Sequence, residues 1–242
     1  MSIVCIIPAR GGSKGIHKKN IKDFIGFPLV SHTIAHALHS SIFDKVIVDT
    51  DDQNIAEIAK KYGAEVPYLR PKHLGGDKVS SEDVILNSLD TLEKKLNFHP
   101  KTVVMLQATS PIRSKKTIRR AYERFIQTNS DSLTVVSERS HFLWRGFDKP
   151  KPTFNIKNRK LRQDLSVEDL FFEEHGSMYV FDKKGFQLNK CRLFGNIHTY
   201  IANKWEAVDI DNEDDWIFAE MTLDFLLESS KKEDYDYQKF LY

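Results

Sequence analysis

Short apolar runs without polar alternation punctuate the chain. Ile3-Val4-Cys5-Ile6-Ile7, Lys45-Val46-Ile47-Val48-Asp49, Thr102-Val103-Val104-Met105-Leu106 and Ser132-Leu133-Thr134-Val135-Val136 read as strands buried on both faces. Between them, helical periodicity predicts helices at about 29–40, 54–62, 81–96 and 115–128. The third has Ser81 at its N-cap position, with Val84, Ile85, Leu89 and Leu92 on one face. Strands alternating with helices of this length imply an α/β chain of right-handed βαβ units with a mainly parallel sheet.

The period breaks between about 138 and 175, where Pro150, Pro152 and the seven basic residues from Arg145 to Arg162 are opposed only by Asp148. This reads as a small arm or lid leaving the main sheet. Strand patterns return at Met178-Tyr179-Val180-Phe181 and Ile197-His198-Thr199-Tyr200-Ile201. A helix follows at about 212–227, with Trp216, Ala219, Leu223, Leu226 and Leu227 towards the core. The reading is one domain over 1–228, with the arm inserted, and a charged tail over 229–242 that is frayed or packed on a partner.

Composition adds mostly exclusions. Thirty-six basic against 34 acidic residues give a net charge of +2, without the basic excess of a nucleic-acid binder. The five-residue apolar run at the N-terminus is too short for a membrane span. Cys5 and Cys191 form no CxxC or zinc spacing, so reduced thiols and a cytoplasmic location are expected. Resolved along the chain, charge says more. Residues 1–20 carry four bases and no acid, whereas 206–228 carry nine acids and no base.

The basic segment holds the strongest chemical signal. Pro8-Ala9-Arg10-Gly11-Gly12-Ser13-Lys14-Gly15 leaves the first strand at its carboxyl end, where open α/β sheets bind ligands. Its glycines let backbone amides approach an anion, and Arg10, Lys14, Lys18 and Lys19 supply mobile cations. The spacing is neither GxGxxG nor a Walker loop. The alternative is an ordinary basic surface loop.

Ile7-Pro8-Ala9-Arg10-Gly11-Gly12-Ser13-Lys14-Gly15 with Lys18-Lys19-Asn20, then Gln107-Ala108-Thr109-Ser110-Pro111-Ile112-Arg113, then Asp209-Ile210-Asp211, occur in this order. Together they closely resemble the signature of the CMP-sialic acid synthetases (N-acylneuraminate cytidylyltransferases), legionaminic-type members included. The resemblance runs to about residue 227. It implies an α/β, three-layer Rossmann-like nucleotidyltransferase fold with a mainly parallel sheet and a small dimerisation arm. It also implies transfer of CMP from CTP to the anomeric hydroxyl of a 2-keto-3-deoxy nonulosonic acid, with Mg²⁺ as cofactor and a homodimer as the assembly. By similarity, Arg10, Lys14 and Lys19 hold the triphosphate; Ala9, Gly11, Asn20, Ser81 and Arg113 contact the nucleotide; and Gln107 lies between nucleotide and sugar. Asp209 and Asp211 are the implied metal pair, with Asp211 placed beside Arg10 and Lys19 in the catalytic group. On a strand their carboxylates would share one face, and paired hard oxygens suit Mg²⁺. Alternatively Asp211 or Asn212 only caps the next helix. Arg162-Gln163 resembles a sugar-acid contact, and Arg145 a residue reaching the neighbouring subunit's site; a solvated basic arm is the competing reading.

One departure bears on the sugar. Glu173-Glu174-His175-Gly176 stands where sialic acid enzymes often have Asn-Gly, and its negative charge would oppose a carboxylate substrate unless turned away. Related octulosonate cytidylyltransferases remain an alternative, though they usually lack the GGSKG loop, as does a non-catalytic nucleotide-binding module. Three features are set aside. His32, His36 and His39 read as a hydrated helix face, Lys115 to Arg124 as solvated surface, and Trp144, Trp205 and Trp216 as packing residues.

Overall fold

A computed structural model describes residues 2–139, 141–237 and 241. Strand β1 (Ile3–Pro8) leads through a long loop to the short hairpin β2 (Asp23–Phe24) and β3 (Phe27–Pro28) and then α1 (Leu29–Ser40). There follow β4 (Lys45–Asp49), α2 (Gln53–Lys61), α3 (Ser81–Leu96), β5 (Thr102–Leu106), α4 (Thr117–Gln127) and β6 (Ser132–Arg139). The arm carries β7 (Trp144–Arg145) and β8 (Lys151–Pro152). The chain then returns along β9 (Phe171–Asp182), α5 (Lys183–Asn189), β10 (Ile197–Ile201), α6 (Glu213–Glu228) and α7 (Lys232–Tyr235).

The main sheet has the order β10-β6-β9-β5-β1-β4, and of its six strands β9 runs antiparallel to the rest. Alternation along β1 explains the three layers. Cys5 and Ile7 pack with Ile34 of α1, Ala56 of α2 and Phe125 of α4. Val4 and Ile6 face the other way, onto Ile85 and Leu89 of α3 and Phe186 of α5. Both faces are thus buried, as the unbroken apolar runs require.

A third cluster positions the site. Ile16 from the first loop, Ile112 from the loop after β5, Val208, Ile210 and the Trp216, Ala219 and Leu223 face of α6 pack together. It pins three loops to one end of the sheet.

Several sequence expectations need correction. Ser80, not Ser81, caps α3: its backbone is extended and its Oγ accepts from Asp83 N at 3.0 Å, which leaves Ser81 as the first helical residue. Two adjacent serines offer the same cap, and the pattern could not choose between them. Asp209-Ile210-Asp211 is not a strand. Ile210 N donates to Thr109 O at 2.9 Å, and the Ile210 side chain fills the third cluster, so no ladder forms. The described part of the tail packs on its own chain, with Tyr235, Tyr237 and Leu241 buried; residues 238–240 and 242 lie outside the described set. His32 and His36 are buried rather than hydrated: His32 Nε2 is 2.9 Å from Phe24 O, and His36 Nδ1 is 3.2 Å from Arg113 Nη1. Trp216 is core, but Trp144 is exposed on the arm, edge-on to Phe154.

Glu206 lies in the 3₁₀ turn Lys204–Ala207 and is 2% exposed. Burial raises its pKa from 4.5 to about 7. The folded state therefore holds this proton where the unfolded state releases it, so Glu206 makes stability fall as pH rises through roughly 4.5 to 7. Burial depresses the pKa values of His32, His36 and His175, which slope the opposite way. A comparison of thermal unfolding isolates the carboxyl: Glu206→Gln is expected to gain stability relative to the parent chain at pH 8 but not at pH 5. An equal difference at both pH values would contradict this.

Candidate functional site

The carboxyl ends of β1 and β5 open into a cavity of about 430 Å³. Its lining brings the separated motifs together: Arg10, Lys14, Gly15, Lys19 and Asn20 from the first loop, Gln107 and Thr109 after β5, Ser81 from α3, and Asp211. Parallel strands place these loops side by side, as the fold class dictates.

The first loop is held from both ends. Ala9 N donates to Asp49 O at 2.9 Å, and Asn20 Nδ2 donates to Arg10 O at 2.9 Å. Asn20 thus braces the turn as well as lining the cavity. Gly15 lies against the 209–211 segment so closely that a Cβ would sit 1.9 Å from Asp211 O. Lys19 is 9% exposed, and its Nζ donates to Ile210 O at 2.5 Å while standing 3.5 Å from Asp211 Oδ1. A buried ammonium beside a carboxylate is a fixed positive charge at the cavity wall.

The acid-free loop meets acids from elsewhere. Arg10 Nη1 donates to Asp77 Oδ1 at 2.7 Å, and Lys14 Nζ lies 2.7 Å from Asp77 Oδ2. The hydrogen bond from Lys14, with help from Arg10, lowers the Asp77 pKa. Gly11 N donates to Asp51 Oδ1 at 2.9 Å.

Asp211 is exposed and lines the cavity, whereas Asp209 is half-buried and does not line it. Burial raises the Asp209 pKa, the Asp211 charge adds to that, and the Thr109 hydroxyl opposes it. Asp209 Oδ1 is buried without a hydrogen-bond partner. Such an orphaned carboxylate oxygen is costly unless something cationic completes it. Asp211 on the cavity wall, with Asp209 behind it, therefore fits a hard divalent cation, with the remaining ligands from phosphate oxygens and water. Among the described residues, no group of three or more His, Cys, Asp or Glu side chains could hold a metal on its own. The capping alternative belongs to Asn212, whose side chain accepts from Asp215 N at 3.0 Å at the start of α6.

Arg113 differs from its expected role. It is 1% exposed and does not line the cavity. Its guanidinium donates to Ser110 O (2.6 Å), Gln107 O (2.8 Å), Ser177 O (2.7 Å) and Thr33 Oγ1 (3.1 Å). Arg113 therefore shapes the second loop from behind instead of facing a base or ribose. Burial lowers its pKa to about 10, which leaves it charged at neutral pH.

The departure at 173–176 also resolves. Pairing of β6 with β9 shifts between Thr134 and Val136, and Gly176 in the resulting bulge has φ +67°. A side chain there would crowd Gln107 Nε2 at 3.3 Å. Glu173 pairs with Arg139, and Glu174 accepts from the Tyr179 hydroxyl at 2.5 Å, so both charges are engaged away from the cavity. Arg145, Arg162 and Gln163 are exposed on the arm, and none lines the cavity of its own chain.

Residues not singled out from sequence complete the lining. Arg70 is buried, paired with Asp49, and donates to Asp49 O at 2.7 Å. Asp77 and Ser80 belong to the loop before α3. The available signal was Gly75-Gly76-Asp77, a second glycine-rich turn shortly before a helix.

The described chain has no helix long and apolar enough to cross a membrane. Residues 4–236 match a family described as cytidylyltransferase. A pseudaminic acid cytidylyltransferase of Campylobacter jejuni subsp. jejuni serotype O:2 is 35% identical over 94% of this chain and 88% of its own length. A CMP-N,N'-diacetyllegionaminic acid synthase of Legionella pneumophila is 34% identical over 93% of this chain and 97% of its own. Among solved structures, a CMP:2-keto-3-deoxy-manno-octonic acid synthetase complexed with CTP has a similar fold, with a TM-score of 0.66 and 15% identity, covering 93% of this chain and 99% of that one.

Proposed function

This chain belongs to the cytidylyltransferase family, and on that basis we propose that it transfers CMP from CTP to the anomeric hydroxyl of a nonulosonic acid, releasing pyrophosphate. The observation that carries the reading is the meeting of the basic first loop with the acidic 209–211 segment at one cavity, joined by the Lys19 contacts. The reaction brings an anionic nucleophile to an anionic phosphate, so positioning and charge neutralisation dominate. Arg10, Lys14 and the loop amides hold the triphosphate. Lys19, fixed by Ile210 O, meets the charge that grows on the departing pyrophosphate. Gln107 lies between nucleotide and sugar, and Ser81 at the start of α3 contacts the nucleotide.

Asp209 and Asp211 would hold Mg²⁺, which supplies a Lewis acid for phosphate oxygens. The site is completed in a homodimer, where Arg145, Arg162 and Gln163 of the exposed arm act on the neighbouring subunit's sugar acid through its carboxylate. The reaction takes place in the cytoplasm.

The direct test is pyrophosphate release from CTP and Mg²⁺ across a panel of pseudaminic, N,N'-diacetyllegionaminic, N-acetylneuraminic and 3-deoxy-octulosonic acids. Release with a nonulosonic acid is expected; release with the octulosonic acid alone overturns the sugar class. Binding of CTP with no release at all would instead mark a nucleotide-binding module. Asp211→Asn is expected to lower turnover about 100-fold while leaving CTP affinity in EDTA within about twofold. Near-full turnover would remove Asp211 from the metal pair.

A further inference from the structure

The groups assigned to the triphosphate are already engaged by the protein's own carboxylates. Asp77 spans Arg10 and Lys14, at 2.7 Å each. Asp51 accepts the Gly11 amide proton at 2.9 Å. The two acids belong to one assembly, because Gly75 is packed so near Asp51 that a Cβ would lie 2.5 Å from its Oδ2. Asp77 sits two residues further on, in the loop between the 3₁₀ turn Lys72–Leu74 and α3, and lines the same cavity as Gln107 and Asp211.

We propose that Asp77 is an internal competitor for polyphosphate: its carboxylate neutralises Arg10 and Lys14 in the empty enzyme, yields them to CTP, and takes them back as pyrophosphate leaves. This rests on the reading of Arg10 and Lys14 as triphosphate ligands. A triphosphate carries several negative charges against one on Asp77, so it displaces the carboxylate. Pyrophosphate, once its bond to the CMP unit is gone, meets a returning competitor on the same two cations. The exchange is easily reversed because both ion pairs are solvent-accessible. Their side chains are 36%, 78% and 42% exposed for Arg10, Lys14 and Asp77, and pairs of this kind are individually weak. A stronger latch would keep CTP out; no latch would retain the product.

The competition is confined to ligands that need the two cations, which gives the test its control. Titration calorimetry in EDTA would compare the parent chain with Asp77→Asn and Asp77→Glu, using CTP, inorganic pyrophosphate and cytidine. Asp77→Asn is expected to bind CTP and pyrophosphate roughly three- to tenfold more tightly, with cytidine unchanged and the gain reduced at high salt. Asp77→Glu should stay near the parent value. Pyrophosphate should inhibit Asp77→Asn at a correspondingly lower concentration. Unchanged or weaker pyrophosphate binding in Asp77→Asn overturns the proposal, as does an equal gain for cytidine, which would signal a rearranged loop. If the parent chain binds neither CTP nor pyrophosphate, with or without Mg²⁺, the functional reading itself fails, a result distinguishable from the loss of this inference alone.

Discussion

Gly15→Ala is expected to reduce pyrophosphate release at least 100-fold while the six-stranded sheet stays folded. An alanine Cβ at this position would lie 1.9 Å from Asp211 O, 3.1 Å from Asp211 C and 3.7 Å from Asn212 Cα. All three are backbone atoms, which cannot swing aside as a side chain could. Either the first loop or the 209–211 segment must move, and both belong to the site. Movement would pull Ile210 O from Lys19 Nζ and separate the cationic cradle from Asp211. Displacements of about 1 Å cost orders of magnitude in rate when positioning is the main device. The cost in stability is smaller, about 1–3 kcal/mol for forced overpacking, because the clash is local to the third apolar cluster. Gly12 is the control. A Cβ there meets nothing within 4 Å, so Gly12→Ala should shift stability by no more than about 0.5 kcal/mol. Steady-state pyrophosphate release and thermal unfolding of both variants check the pair. Wild-type turnover in Gly15→Ala would show that the two segments need not touch.

What was legible in the sequence is what physics makes local. Unbroken apolar runs marked β1, β4, β5 and β6 to within a few residues, since strands covered on both faces have no polar side to disguise them. Only residues 178–181 of β9 stood out, although the strand begins at Phe171, and β10 is an edge strand whose end residues are exposed. The first loop stood out because a glycine-dense, acid-free stretch directly after a strand is a local pattern. The roles of His32 and His36 were not legible. Helical spacing placed them on one face, but only the packed tail and the β2–β3 hairpin made that face interior. Asp77 was invisible for the same reason: its partners Arg10 and Lys14 are more than 60 residues away in sequence. The antiparallel direction of β9 was equally hidden, since apolar runs do not encode strand direction.

Arg113 sits where the motif placed it but spends its guanidinium on the protein's own carbonyls, and it carries the second large expected effect. Its guanidinium fork satisfies three backbone carbonyls, those of Gln107, Ser110 and Ser177, in a space closed to water. Two of these carbonyls belong to the loop that presents Gln107 to the cavity, and the third to the β9 bulge beneath it. Arg113→Met should therefore leave buried acceptors unpaired and destabilise the chain by about 3–5 kcal/mol. Arg113→Lys should recover only part of this, because a point charge cannot span partners arranged for a planar fork. CTP affinity, measured on the fraction that remains folded, should fall less than tenfold, since the guanidinium is walled off from the cavity by the loop it supports. A nucleotide ligand would behave in the opposite way: its loss would weaken CTP binding strongly and leave the denaturation midpoint where it was. Chemical denaturation and CTP titration of the same variant separate the two roles. A Met variant with the parent midpoint and greatly weakened CTP binding would return Arg113 to the nucleotide.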